Sequence, residues 1–128
     1  MIPGGLAFAG LLFGLVASAA QAFDLPPTHQ LRPVLIPGHY ACLDGTMPTS
    51  EFDILDGTAY FLRGNTLRAG EFAYDKATSV IIWKTGPFAD TDMVGYNTTR
   101  TADKKPVIVL HFTADSEAPS TELCTIVE

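Results

Sequence analysis

Two alternating segments on either side of a short polar turn constrain the fold of this chain most strongly. Within residues 70–88, aromatic residues alternate with small or polar ones before the turn. After the turn, Val80 and Ile82 alternate with Ile81 and Trp83. Alternation with period two indicates β-strands. Asp75 suits the first position of a type I turn, because its carboxylate can accept hydrogen bonds from later backbone amides. The pattern therefore predicts an antiparallel hairpin of residues 71–75 with residues 80–84.

The register predicted for this hairpin places its large apolar side chains on one face. Phe72 is expected opposite Trp83. Tyr74 is expected opposite Ile81. Ser79, the last residue of the turn, then requires a left-handed backbone, which glycine adopts at lower cost.

Segments before and after the hairpin have the same strand character. Short alternating or apolar runs between turn residues predict further strands at 38–43, 51–55, 58–62, 66–68, 93–99, 107–113 and 121–127. Asp56-Gly57 is typical of a two-residue hairpin turn, which predicts Ile54 opposite Ala59. No helix is predicted after Phe23. About eight short strands at regular spacing predict an all-β fold, either a small antiparallel barrel or a sandwich.

The start of the first of these strands carries a glycine and an aromatic residue two positions apart. Gly38-His39-Tyr40 resembles the Gly-x-aromatic start of lipocalin-like and small inhibitor barrels. The resemblance implies an up-and-down barrel, which is the favoured fold. Lipocalins usually have Trp at the third position, where this chain has Tyr40, and no functional residue is carried over from them.

The N-terminal segment is apolar and uncharged up to Asp24. Ala20-Gln21-Ala22 is typical of a signal peptidase site, so residues 1–22 are predicted to be a secretory signal peptide. The segment is also about long enough for a membrane-spanning helix, which needs roughly 20 apolar residues, and no Lys or Arg precedes the apolar run at residues 6–20. A cleaved signal peptide and a retained single-pass anchor are both consistent with this hydrophobic helix. Both place the remainder of the chain outside the cytoplasm.

Two stretches are predicted to contact a protein partner. Gly10 and Gly14 form a GxxxG spacing, which allows close contact between membrane helices. Residues 23–37 form an extended arm, because proline at this density excludes helix. The apolar run within the arm is predicted to pack on the domain or on a partner, through Val34, Leu35 and Ile36.

The two cysteines lie towards opposite ends of the β-domain, residues 38–128. In an oxidising compartment they predict one disulfide, Cys42–Cys124, that joins the first strand of the domain to the last. Closing a loop of this length stabilises a fold by on the order of 4 kcal/mol in the chain-entropy model.

The net charge and the absence of catalytic motifs argue against several classes of function. The formal net charge is −6 and no basic cluster is present, which argues against a nucleic-acid partner. The sequence has no Gly-x-Ser-x-Gly and no HExxH motif, so no enzymatic activity, cofactor or metal site is predicted. His39 and His111 could share a metal only if their strands lay close together. Asn97-Thr98-Thr99 is an N-glycosylation sequon.

The predicted function is that of a non-enzymatic interaction module. The domain would be an accessory subunit of a protein complex, tethered to the membrane if residues 1–22 are retained. It would hold its partner through the N-terminal segment, the arm and an exposed sheet edge. The alternative is a secreted carrier of a small apolar ligand, because an eight-stranded barrel is just wide enough for one. Its cavity would be lined by Tyr60, Phe72, Tyr74 and Trp83.

Overall fold

The computed structural model describes residues 25–64, 66–91, 93–112 and 121–127. These residues form nine β-strands: β1 (His29–Leu31), β2 (Gly38–Asp44), β3 (Met47–Ile54), β4 (Ala59–Arg63), β5 (Arg68–Asp75), β6 (Val80–Trp83), β7 (Met93–Arg100), β8 (Pro106–Phe112) and β9 (Thr121–Val127). None of the described residues belongs to a helix that is long and apolar enough to cross a membrane. The predicted N-terminal helix and its Gly10–Gly14 pair lie outside the described residues.

Strands β2 to β9 form a closed, eight-stranded antiparallel barrel. Each strand pairs with the next along the chain, and β9 returns to pair with β2. The all-β prediction is therefore confirmed, and the architecture is a barrel, not a sandwich. Closure gives every barrel strand two neighbours, which removes the free edges of an open sheet. Among the described strands, β1 alone pairs on one side only.

The barrel interior is filled by inward-facing side chains. Its largest members are six buried aromatic residues, Tyr40, Phe52, Tyr60, Phe72, Trp83 and Phe88. Neighbouring rings in this aromatic cluster have centroids 4.8–6.2 Å apart, in edge-to-face or stacked arrangements. Such pairs add about 0.5–1.5 kcal/mol each beyond the area they bury. The interior is thus a packed aromatic core.

The β5–β6 hairpin has the predicted register. Phe72 lies opposite Trp83 and Tyr74 lies opposite Ile81. The Asp75 carboxylate accepts a hydrogen bond from the Ala77 amide at 2.9 Å, as expected for this turn. Ser79 has a φ of 60°, which confirms the left-handed conformation.

The β3–β4 hairpin corrects the register predicted from its turn. Ile54 lies opposite Tyr60, not Ala59, so the turn is one residue longer than Asp56-Gly57 predicts. The Leu55 amide bonds to the Ala59 carbonyl across this longer turn at 2.9 Å. The observed register points Tyr60 into the core, whereas a one-residue slip would turn the whole strand over. Burial of a large aromatic side chain outweighs the local preference for a tighter turn.

Two further segments differ from the sequence prediction. The short strand predicted at residues 66–68 is not separate, because β5 runs without interruption from Arg68 to Asp75. The arm, predicted only to be extended, contains β1, which pairs with the C-terminal half of β7. β1 has only three residues, too few to show a period-two pattern.

The disulfide Cys42–Cys124 is present, as predicted. The two residues lie directly opposite each other on β2 and β9, with Cα atoms 3.8 Å apart, and both are buried. They join the two strands whose pairing closes the barrel.

The two ends of the barrel are covered by different segments. At the arm end, residues 32–37 leave β1 and cross to β2, next to the turns at 55–58 and 76–79. Leu35 packs there against the interior cluster. At the loop end, residues 84–91 connect β6 to β7 and place Phe88 in the core.

Candidate functional site

The arm end is built around the backbone carbonyl of Arg32. Its oxygen accepts hydrogen bonds from the Tyr74 hydroxyl at 2.7 Å, the Ser79 hydroxyl at 2.8 Å and the Asn97 amide at 2.9 Å. The Arg32 amide in turn donates to the Asn97 carbonyl at 2.9 Å. Donors from β5, from the β5–β6 turn and from β7 therefore converge on one oxygen. This convergence fixes the point at which the arm leaves β7 and crosses the barrel.

Asn97 holds the next residues of the arm as well. Its Nδ2 donates to the Val34 carbonyl at 2.9 Å and lies 3.0 Å from the Tyr74 hydroxyl. Asn97 is fully buried, so its amide is inaccessible to glycosylation in the folded protein despite the sequon. Sequence reasoning did not identify this role. The available signal was the alternation of β7, which places Asn97 on the same inner face as Met93 and Gly95.

Tyr40 fixes the far end of the arm. Its hydroxyl donates to the Ile36 carbonyl at 2.6 Å. Burial raises the pKa of Tyr40 to about 12, and the positive charge of Arg32 offsets part of this rise. Tyr40 therefore remains a neutral donor at any physiological pH, and its bond to the arm does not titrate there.

A cavity of about 340 Å³ lies between the arm and the adjacent barrel wall. Its lining combines prolines and apolar residues of the arm with parts of β3, β5 and their turns, including Val34, Leu35, Ile54, Leu55, Phe72, Tyr74 and Lys76. Val34 is 57% exposed and Leu55 is 37% exposed at its rim. The arm end thus presents an apolar surface around a small depression, with charged Asp56 and Lys76 beside it.

The three arm residues predicted to contact a partner have different environments. Val34 is exposed, whereas Leu35 packs against the interior cluster. Ile36 is half-buried, and its carbonyl is bound by Tyr40. The arm therefore packs on the domain through Leu35 and leaves the Val34 side chain exposed to solvent.

The four predicted ligand-cavity residues fall into two pairs with different surroundings. Phe72 and Tyr74 line the depression at the arm end. Tyr60 and Trp83 instead pack against Phe88 towards the loop end, with centroid distances of 5.3 and 4.8 Å. Phe72 also contacts Trp83, with ring centroids 6.2 Å apart, and both belong to the aromatic cluster together with Tyr60.

A chain of ionic hydrogen bonds on β2, β3 and β4 was not anticipated from the sequence. His39 contacts Asp53 through Nδ1 at 2.7 Å and Glu51 through Nε2 at 2.8 Å, and Arg63 contacts Asp53 at 2.9 Å. Burial alone would raise the pKa of Asp53, but hydrogen bonds from His39 and Arg63 outweigh it and lower the pKa. Exposed ion pairs of this kind contribute about 0–1 kcal/mol each. We assign these ion pairs a structural role in the barrel wall.

The two histidines considered for a shared metal lie far apart. His39 pairs with Val127 on β9, whereas His111 pairs with Thr121 near the other end of that strand. Strand β9 also separates β2 from β8. Within the described residues, no group of three or more His, Cys, Asp or Glu side chains is placed to hold a metal ion.

Comparisons of this chain with protein-family models, with curated proteins and with solved structures found no match.

Proposed function

We propose that this protein is an extracytoplasmic interaction module that binds a protein partner at the arm end of its barrel. The observation that carries the proposal is the environment of Val34. Its side chain is exposed, yet its carbonyl and that of Arg32 are bonded to the buried Asn97. An exposed apolar side chain on a fixed backbone loses little conformational entropy on binding, which favours association.

The closed barrel supports this proposal because it limits the surfaces at which a partner can bind. Because β2 to β9 have no free edge, β1 is the one described strand at which a partner could extend the sheet, and it has only three residues. Side chains on the arm and the neighbouring turn offer a larger contact surface. Val34 and Leu55 form an apolar patch flanked by charged groups, the usual composition of an interface with a polar rim.

A carrier function is the second candidate, and the cavity at the arm end is the observation in its favour. Its volume of about 340 Å³ is within the size range of small-ligand pockets, roughly 300–1,000 Å³. A ligand would bind beneath the arm, next to Phe72 and Tyr74. The aromatic filling of the interior favours the interaction module over this carrier.

The proposed location is the periplasm or the exterior of the cell. The Cys42–Cys124 disulfide fits an oxidising compartment. If residues 1–22 are retained as an anchor, the barrel belongs to a membrane-bound assembly. If they are cleaved, the barrel is secreted.

The test is native mass spectrometry of the protein purified from its own source. A bound protein subunit supports the module, a bound small molecule supports the carrier, and a bare monomer contradicts both. Val34→Asp should reduce the recovered complex at least about tenfold, because burying an unpaired charge at an interface costs more than 1.4 kcal/mol.

The matched control is Leu67→Asp, which alters an apolar residue that is at least as exposed as Val34 and lies before β5, outside the arm end. It should leave the complex intact. Equal losses in Val34→Asp and Leu67→Asp would contradict the assignment of the interface to the arm end.

A further inference from the structure

A second cavity, of about 270 Å³, opens at the loop end of the barrel. Its floor consists of the apolar side chains of Phe88, Met93 and Leu110, all three of which are buried. Phe112 adds a partly buried aromatic ring to the wall. The mouth of a β-barrel is a common location for small-ligand pockets, whose volumes start at roughly 300 Å³. The cavity is therefore of a size to hold one small molecule with an apolar group.

Two charged residues, Arg68 and Glu122, line the same cavity, and the other lining residues are uncharged. Both occupy inward positions of their strands. Arg68 precedes Phe72 by four positions on β5, and Glu122 precedes Cys124 by two positions on β9. Phe72 and Cys124 belong to the interior cluster. Because residues two or four apart share one face of a strand, both charged side chains start from the inner face of the wall, at the mouth of the barrel.

These two charges stand on opposite walls of the barrel. Strands β5 and β9 are four steps apart around the eight-stranded sheet in either direction. Arg68 and Glu122 do not neutralise each other, since the ion pairs among the described residues are those of His39, Arg63 and Arg100. A cation and a carboxylate therefore face each other across the mouth, above an apolar floor.

The charges of the cavity determine which ligand it suits. The Glu122 carboxylate accepts a hydrogen bond from the Thr49 hydroxyl at 2.8 Å through Oε1, which orients it on the side of β3. The Arg68 guanidinium can bind a carboxylate through two parallel hydrogen bonds. A ligand with only one charge would be attracted by one wall and repelled by the other. A small zwitterion with an apolar group matches both walls and the floor.

We propose that the loop-end cavity binds a free α-amino acid with an apolar side chain. Arg68 holds its carboxylate, Glu122 holds its ammonium group, and its side chain lies on the floor beside Met93 and Leu110. The α-carbon of such a molecule carries all three groups, so the two charges stay at the mouth while the apolar group enters the cavity. The site is independent of the proposed binding at the arm end, which lies on other residues.

The test is a titration of the oxidised full-length protein, with its methionine methyl groups labelled for NMR. L-leucine should shift the Met93 methyl signal saturably, with a Kd of about 1 mM or below. Met47, which is 65% exposed and does not line the cavity, is the internal control and should not shift. L-leucinamide lacks the carboxylate and N-acetyl-L-leucine lacks the ammonium group. Each should bind about fivefold more weakly than leucine, because an ion pair at an exposed rim contributes up to about 1 kcal/mol.

Two variants assign the charges of the ligand to the two walls. Arg68→Gln should weaken leucine binding about fivefold and leave leucinamide binding unchanged, because leucinamide has no carboxylate for Arg68 to hold. Glu122→Gln should weaken leucine binding to a similar extent without weakening the binding of N-acetyl-leucine. Lys84→Gln is the matched control, because it removes a positive charge from an exposed residue that does not line the cavity. It should leave the Kd for leucine unchanged.

Other outcomes would overturn the proposal. The absence of a saturable Met93 shift up to about 10 mM leucine would mean that the cavity does not bind this ligand. Equal affinity for N-acetyl-leucine would assign the cavity to a simple anion, and equal affinity for leucinamide would assign it to a cation. An equal loss in Lys84→Gln would reduce the effect to net charge. Val34→Asp should leave leucine binding intact, so failure at the loop end is distinguishable from failure of the proposed interface at the arm end.

Discussion

The arm end and the loop end of the barrel are closed by opposite means. At the arm end, backbone carbonyls are bound by side chains of the wall, and the Val34 side chain stays exposed. At the loop end, the Phe88 side chain is buried among the aromatic rings. Its amide donates to the Tyr60 hydroxyl at 2.9 Å. Polar bonds to the backbone dominate one end, and side-chain packing dominates the other.

This difference determines which side chains remain exposed at each end. A segment held through its backbone can leave a side chain exposed without losing its attachment, as the arm does at Val34. A segment held through its side chains uses them for stability. The loop end is also tightly packed: Gly86 has a φ of 89°, and a Cβ there would lie 2.5 Å from the Gly70 Cα.

The largest expected effect comes from removing the packing at the loop end. Phe88→Ala should lower the free energy of unfolding by about 3–5 kcal/mol, the usual cost of truncating a buried phenylalanine. Val34→Ala, at the arm end, should change it by no more than about 0.5 kcal/mol. Denaturant unfolding of both variants measures the contrast. Similar losses of unfolding free energy in the two variants would contradict the view that side-chain packing holds only the loop end.

A smaller effect is expected from the polar attachment of the arm. Asn97→Ala removes the donor to the Val34 carbonyl and one donor to the Arg32 carbonyl, and should lower the free energy of unfolding by about 1–3 kcal/mol. Amide hydrogen exchange should also quicken at Arg32, since the arm loses part of its attachment. Quicker exchange throughout the barrel, with none specific to the arm, would contradict an attachment role for Asn97.

The smallest expected effect on the free energy of unfolding comes from Ser79, where a hydrogen bond stabilises the fold and a left-handed backbone destabilises it. Ser79→Ala removes one of the three donors to the Arg32 carbonyl but keeps a side chain at a φ of 60°, so it should cost about 1 kcal/mol. Ser79→Gly removes the same donor but relieves the left-handed backbone, which should restore about 0.5–1 kcal/mol. Thermal or denaturant unfolding of both variants gives the difference. If Ser79→Gly is no more stable than Ser79→Ala, the left-handed conformation carries no cost.

Local patterns were sufficient for some parts of the structure and not for others. The β5–β6 register was predictable, because its turn and its alternation favour the same pairing. The β3–β4 register was not, because the preference of Asp56-Gly57 conflicted with the burial of Tyr60. That conflict is decided by the assembled core, which a short window of sequence does not contain.

The packing of the arm on the domain was predictable, but the bonds that attach the arm were not. The apolar run beginning at Val34 indicated a surface that packs on the domain or on a partner. The bonds that hold it come from Tyr74, Ser79 and Asn97, which are 42, 47 and 65 residues from Arg32 along the chain. No spacing rule connects residues so distant, since only closure of the barrel brings them together.

The disulfide determines how the protein responds to cleavage of its backbone. Residues 42–124 and the bond between Cys42 and Cys124 form a macrocycle that contains strands β3 to β8 and every connection among them. A protease that cuts one of those connections opens the ring but releases no fragment. The nicked molecule separates into two pieces only after reduction, and a second cut is needed before any of these strands can be lost.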